Sequence, residues 1–436
     1  MKSPVLRVLA AAAAAFAAPA HAWDIDWALG LGLEYSDNLG RRVVDPQSGS
    51  RLSPFADISA SEDGETLRAN FTGSLSYSRY SGVDFDPNFN IRLAAEAVWS
   101  IRPERLLWTV TDSAAQQPID IFASAAPDNV QNSNVFSTGP TLLYRFSAAM
   151  AGRTELRYVN SYAQSTDAFN SDRLILTSRL LRTVSPVATL SGNASLESVQ
   201  LDNPTATASD FERLGLFGGY DWRSSRTTLR AELGWNWVDL DSGLDNRNGL
   251  LARASGTFAL SDISRLDLGL RHELSDSATD LAGSAPNVDA LLLPDSVAGV
   301  GGAATLNSEV YELDRIDIGY SRLGELFTLR AGAYYSGQDY QNASTLEQRN
   351  RGVSLTVDYA LSPRTSLGAF AIADWLRFVD TDFDSREDEF GLRLRTRLRR
   401  DLDFSLEATH AQRDSSDPTG GFDENRIYAA IIWRSQ

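Results

Sequence analysis

The residues best placed to do chemistry are arginines and carboxylates that recur at every second position. Arg68, Arg92, Arg157, Arg179, Arg230, Arg271, Arg330, Arg393, Arg395 and Arg397 fall in this pattern. Interleaved with them are Glu96, Glu155, Glu197, Glu232, Asp267, Asp317, Asp358 and Glu407. Arginine presents a planar fork of donors that grips carboxylates and orients hydroxyl-rich solutes. The mixed signs exclude a filter strongly selective for anions or for cations. Two readings stay open: ion pairs that stiffen a scaffold, or the wetted wall of a channel for a polar solute.

Other chemistry is sparse. Beyond residue 22 the only histidines are His272 and His410, each in register with apolar neighbours. Neither is accompanied by a nucleophile and an acid at fixed spacing, so no catalytic residue is assigned. Asp380, Asp382 and Asp384 have calcium-loop spacing, but Ser385 replaces the required glycine and Gly391 the terminal glutamate. No metal site and no cofactor is expected. Cysteine is absent, which excludes disulfides, thiolate metal sites and cysteine nucleophiles.

The first 22 of the 436 residues read as a signal peptide. A basic start "MKSPVLR" precedes an apolar Val8–Ala18 run and an Ala20-His21-Ala22 cleavage site. Cleavage there would remove Lys2 and Arg7 and take the net charge from −17 to −19. Every remaining cation except histidine is then arginine. So acidic a chain lacks the basic footprint that nucleic acid requires.

What positions the charges is a period of two, the repeat of a β-strand with one wet and one apolar face. It opens at "WDIDWALGLGLEYS", where Trp23, Ile25, Trp27, Leu29, Leu31, Leu33 and Tyr35 alternate with small or acidic residues. It recurs at "TLRANFTGSLSYSRY", "FNIRLAAEAVWSI", "RLDLGLRHEL", "RGVSLTVDYAL" and "EFGLRLRTRL". Tight turns such as "EDGE", "RPER", "VSPV", "RSSR", "LSPR" and "RRDL" take turns with longer polar loops. Short turns at one end and long loops at the other belong to an outer-membrane barrel. The prediction is an all-β, antiparallel up-and-down transmembrane barrel of about 20 strands (18–22), a single domain over residues 23–436. Both termini would be periplasmic, and the long loops extracellular.

Aromatics should then form girdles at the two headgroup levels. Trp23, Trp27, Trp99, Trp108, Trp222 and Trp433 fall on the periplasmic side, and Trp235, Trp237 and Trp375 on the outer side. Gly30 and Gly32 would line the lumen, leaving space or admitting a neighbour. The longest loop, about residues 275–307, carries Leu291, Leu292 and Leu293 and is the candidate gate; a packed surface loop is the alternative.

At "PERLLWTV" (103–110), "APDNVQNSNVFSTGPTLLYRF" (126–146) and "LSPRTSLG" (361–368) the chain resembles a family of proteobacterial β-barrel porins. These accompany exopolysaccharide synthesis and export loci, including those of the exosortase (PEP-CTERM) system. The resemblance implies a Gram-negative outer-membrane barrel that serves polysaccharide export; most of that family has no demonstrated activity, so it carries over no catalytic residues. Its implied partners are outer-membrane lipid and lipopolysaccharide, the barrel-assembly machinery, the polysaccharide and periplasmic export proteins. One departure is that Trp433 stands three residues before the end, where such barrels usually finish on an aromatic. An anchoring barrel that conducts little is the alternative, and an outer-membrane hydrolase the third reading.

Overall fold

The computed structural model describes residues 23–205, 208–241, 246–283, 306–340 and 344–435. The segment read as a signal peptide, residues 1–22, and Leu291–Leu293 lie outside these residues. The strands are long because each must cross a hydrocarbon layer at a tilt. They begin with β1 (Asp24–Ser36), β2 (Gly49–Asp63), β3 (Leu67–Ser81), β4 (Asn88–Arg102) and β5 (Leu106–Pro118). Next come β6 (Val130–Arg145), β7 (Met150–Ala163), β8 (Ser171–Ser185), β9 (Ala188–Leu201) and β10 (Phe211–Arg223). The second half starts with β11 (Thr227–Leu240), β12 (Arg247–Ser261), β13 (Ser264–Ser275), β14 (Tyr311–Leu323) and β15 (Phe327–Tyr340). It closes with β16 (Gln348–Ser362), β17 (Thr365–Phe378), β18 (Asp384–Arg399), β19 (Leu402–Ser415) and β20 (Phe422–Arg434).

Each strand pairs antiparallel with its sequence neighbours, and β1 also pairs with β20, so one 20-stranded sheet closes on itself. The expected up-and-down barrel is what the chain forms. Closure leaves no free edge, which a lipid-embedded sheet cannot tolerate. Residues 146–149 form one further tight turn, between β6 and β7, in the "YRFSAAM" stretch.

The alternation sorts residues as the period of two requires. Leu29, Leu31, Leu33 and Tyr35 point outward and are about half exposed, while Glu34 and Ser36 are buried inside. Trp99, Trp108, Trp235, Trp237 and Trp433 are exposed on the same outward row. Trp27 and Trp433 stack edge to face with centroids 5.5 Å apart, at the end of the β1–β20 closure where the two chain termini lie. Trp222 and Trp375 lie on outward rows too, in register with Leu229 and with Arg351. Trp23 directly precedes β1.

Gly30 and Gly32 do face the lumen, but they open no space. The Phe55 ring lies over Gly30 and the Tyr428 ring over Gly32, so a Cβ at either position would fall on an aromatic ring. Glycine here admits a neighbour, the second of its two expected roles.

Candidate functional site: a lumen crossed by two inward segments

Ten of the alternating arginines and acids are the candidate pore lining, and all ten, Arg68, Arg92, Glu96, Arg157, Arg179, Arg271, Arg330, Asp358, Arg393 and Arg395, sit on inward rows. The register shows this directly. Arg92 opposes Ser74, Glu96 opposes Asn70, Arg330 opposes Thr356, Asp358 opposes Gly368, and Arg395 opposes Ser366 and Ser405.

Their surroundings divide them. Arg393 is buried, donates to Glu407 at 2.6 Å and lies over the Phe370 ring at 5.4 Å. Arg157 repairs the wall: Pro140 has no N–H, and the β6–β7 ladder is interrupted there. The Arg157 guanidinium donates to the carbonyls of Gly139 (3.1 Å), Pro140 (2.8 Å) and Leu156 (3.0 Å) and to Thr141 Oγ1 (2.7 Å). These two are structural in the sense the pairing reading implied. Arg68 is exposed to the lumen.

The lumen is not an open tube. Helix α1 (Ser277–Gly283), the first part of the 275–307 loop, docks against its inner wall. Asp276 begins the helix. Its Oδ1 accepts from the Ala278 and Thr279 amides, each at 3.1 Å, and its Oδ2 accepts from Thr279 Oγ1 at 2.8 Å. The same carboxylate meets Arg173 at 2.8 Å and Arg213 at 2.9 Å. Glu197 bridges those two arginines at 3.3 and 3.0 Å. A second tether is Asp280, which accepts from Arg271 (3.0 Å), Ser275 Oγ (2.8 Å) and Tyr311 Oη (2.7 Å). Apolar contact completes the dock: Ala278, Leu281 and Leu306 pack on Val135, Val159 and Phe169. A cavity of about 480 Å³ remains between α1 and the wall, lined by Glu96, Thr111, Arg157, Glu197 and Thr279 among others.

Burial alone would push the Asp276 carboxyl up; Arg173 and Arg213 overcome that and hold it far below the usual carboxylate range. Each charge in this cluster thus faces an opposite one, the condition under which buried charge is tolerated.

A second segment enters between β5 and β6. Its Ile121 and Phe122 pack against Phe378 and Phe383, with Phe122 ring centroids 4.5 and 5.0 Å from theirs. Arg413 of β19 donates to the carbonyls of Ala123 (2.6 Å), Phe122 (3.2 Å) and Ile121 (3.3 Å). Arg41, from the β1–β2 loop, donates to Ala125 O at 3.4 Å and accepts at its own carbonyl from Ser124 Oγ at 3.0 Å. A segment rooted on β5 is therefore held by β17–β19, beyond the β1–β20 closure.

The wall gives way where these two segments leave it. The β4–β5 ladder stops at Leu93 opposite Ala114, although both strands continue outward. Asn132 of β6 takes the missing place, accepting from Ile91 N–H at 3.1 Å and donating to Phe89 O at 2.8 Å. A side-chain amide here does the work of a peptide group. The β12–β13 ladder likewise stops at Ala252 opposite His272, and Leu274 turns into a buried cluster with Val199, Phe211 and Val238. These are the strands that carry the inward segments. Arg173, Arg213, Asp276 and Arg413 were not singled out from the sequence. The one local signal was "SDSATD", an aspartate placed to cap a short helix.

Both histidines lie outside, on lipid-side rows near the long-loop ends of β13 and β19. His272 Nδ1 is 2.7 Å from Asp314 Oδ1 and its Nε2 is 3.7 Å from Glu312. These three groups are close enough to share an ion, with ligand atoms within 4.8 Å of one another, and are partly exposed. His410 Nδ1 lies 3.0 Å from Asn425 Oδ1. Asp380 and Asp382 are exposed, while Phe383 between them and Asp384 is buried.

Closed, apolar outside and charged within, the molecule is a transmembrane up-and-down β-barrel. No protein-family model matches the chain, and no curated protein matches it. Among solved structures it is similar to the siderophore receptor PirA from Pseudomonas aeruginosa, at 10% identity and a TM-score of 0.44, covering 96% of this chain and 81% of that one. It is also similar to the copper transporter OprC, at 13% identity and a TM-score of 0.42, covering 94% and 80%. OccK2 (OpdF) from Pseudomonas aeruginosa gives 12% identity and a TM-score of 0.37, covering 95% and 98%. These likenesses concern fold alone, and the closure seen in the chain's own ladders stands without them.

Proposed function

We propose that this chain is an outer-membrane channel with a narrowed extracellular mouth, exported by its leader, that passes a hydroxyl-rich solute, an exopolysaccharide. The observation that carries the channel reading is the polar inward wall beside the cavity under α1, which Thr72, Glu96, Thr111 and Ser113 line. Closely spaced donors and acceptors of both signs suit a neutral or weakly acidic sugar chain, with arginine forks available to uronic carboxylates. The outward direction and the link to polysaccharide synthesis rest on the resemblance to the export-associated porins.

A second reading, an anchoring barrel that conducts little, is favoured by the buried Asp276 quartet, which fastens α1 across the lumen. Planar-bilayer recording of the purified barrel separates the two. The channel reading expects discrete conductance steps that grow when residues 275–307 are deleted. No steps from either protein would overturn it. Normal secreted polysaccharide after gene deletion would overturn the export reading and leave a general porin.

A further inference from the structure

We infer that the outer face of β16–β18 binds the phosphates of an outer-leaflet glycolipid. The inference rests on this chain spanning the outer membrane, but not on what its lumen passes.

Four arginines stand on the outward rows of three adjacent strands: Arg349 and Arg351 on β16, Arg377 on β17 and Arg386 on β18. Their heights follow from the register. Arg351, Trp375 and Arg386 lie side by side at one level, and Arg349, Arg377 and Asp384 at the next level outward. One level below, Asp388 stands beside Ala373 and Val353, and past it the same rows are apolar, with Leu355, Ala369, Ala371 and Phe390. The cluster therefore marks where hydrocarbon gives way to headgroups.

Trp375 is held between two guanidinia, Arg351 at 5.3 Å and Arg386 at 5.4 Å from its ring centroid. An indole flanked by cations is an interfacial anchor in a charged setting. Carboxylates offset part of the charge: Asp339 pairs with Arg349, and Asp388 with Arg386. Arg351 and Arg377 are exposed and make no ion pair with any described carboxylate, although Asp384 stands across from Arg377. Arg349 and Arg377 also face each other directly across the strands. Like charges so placed are unfavourable until an anion lies between them. Adjacent strands are about 4.8 Å apart, so the backbones of Arg351 and Arg386 are about 10 Å apart, room for a phosphate-bearing sugar over Trp375. Planar forks are matched to phosphate oxygens.

The occupant must arrive in the plane of the membrane, because these side chains point away from the lumen. That selects a phosphorylated lipid over a free solute. The test uses full-length barrel in zwitterionic detergent, with bis-phosphorylated lipid A as probe and native mass spectrometry or microscale thermophoresis as readout. The double variant Arg351→Gln/Arg377→Gln should bind about tenfold more weakly or worse. Arg79→Gln, an outward arginine on β3 away from the cluster, should bind normally. The charge-keeping variant Arg351→Lys/Arg377→Lys should fall between. Conductance should not change. Equal binding by the glutamine variant would overturn the inference, as would equal binding of dephosphorylated lipid A to the wild-type barrel. So would displacement of the lipid by inorganic phosphate at matching concentration. If the glutamine variant fails to fold, the two wild-type comparisons still decide.

Discussion

The Asp276 carboxylate lies 2.8 Å from the Arg173 guanidinium, with Asp276 fully buried and Arg173 nearly so, across a gap in sequence that spans five strands. One ion pair thereby joins the start of an inward helix to a wall strand far from its own root. Two of its consequences can be measured, as can the roles of the second inward segment and of the wall itself.

Asp276→Asn should loosen α1 at its start, leaving the Asp280 tether and the apolar dock. It leaves Arg173 and Arg213 buried with Glu197 as their one shared carboxylate, and breaking a buried pair on one side costs up to about 3–5 kcal/mol. Single-channel conductance should rise and the thermal midpoint should fall. Unchanged conductance would mean that α1 does not obstruct the solute path.

The same group sets a pH dependence. Its folded-state pKa is depressed, so its contribution is fully present above the unfolded value of about 3.9 and is lost as pH falls toward the folded value. Conductance should hold steady from neutral pH to about 5 and rise only under stronger acid. Asp276→Asn should lack that acid response. A rise centred near pH 6 would point to a different group.

Arg413→Gln should loosen the 119–129 segment by removing the fork that grips three successive carbonyls. Charge-assisted bonds of this kind contribute about 1.5–3 kcal/mol. Protease nicking within the segment should accelerate while the barrel keeps its strand content. Arg413→Lys should rescue poorly, because a point charge cannot reach all three carbonyls. Equal nicking in wild type and Arg413→Gln would show that packing on Phe378 and Phe383 and the Arg41 contacts hold the segment without this fork.

Asn132 and Gly30 test the wall itself. Asn132→Ala removes the amide that serves Ile91 N–H and Phe89 O, and should cost about 1–3 kcal/mol as a lower unfolding temperature in detergent. Gly30→Ala collides with Phe55 and should cost about 1–3 kcal/mol. Gly192→Ala, which has nothing within 4 Å of a new Cβ, should be silent. A silent Gly30→Ala would mean that the Phe55 ring moves freely.

Strand parity was legible because a residue's side of a sheet follows from counting by two, a local property. Thus Arg92, Glu96 and Asp358 could be placed inward, and Trp99 and Trp433 outward, without any tertiary information. The function of Arg157 and Arg393 was not legible. One depends on a ladder interruption at Pro140 and the other on Glu407 in the next strand, and alternation says nothing about either.

By itself, then, the sequence determined the strand period, the antiparallel meander with its alternating short and long connections, and the apolar outer band. Each of these is a preference of neighbouring residues for water or hydrocarbon. The tertiary structure alone decided which loops fold inward, which strand ends leave the wall, and how the gaps are sealed by Asn132 and Leu274. Those outcomes depend on charges and apolar groups from distant strands meeting in a closed lumen. Arg173, Arg213 and Asp276 become one buried unit only after closure brings β8, β10 and the end of β13 around a common interior.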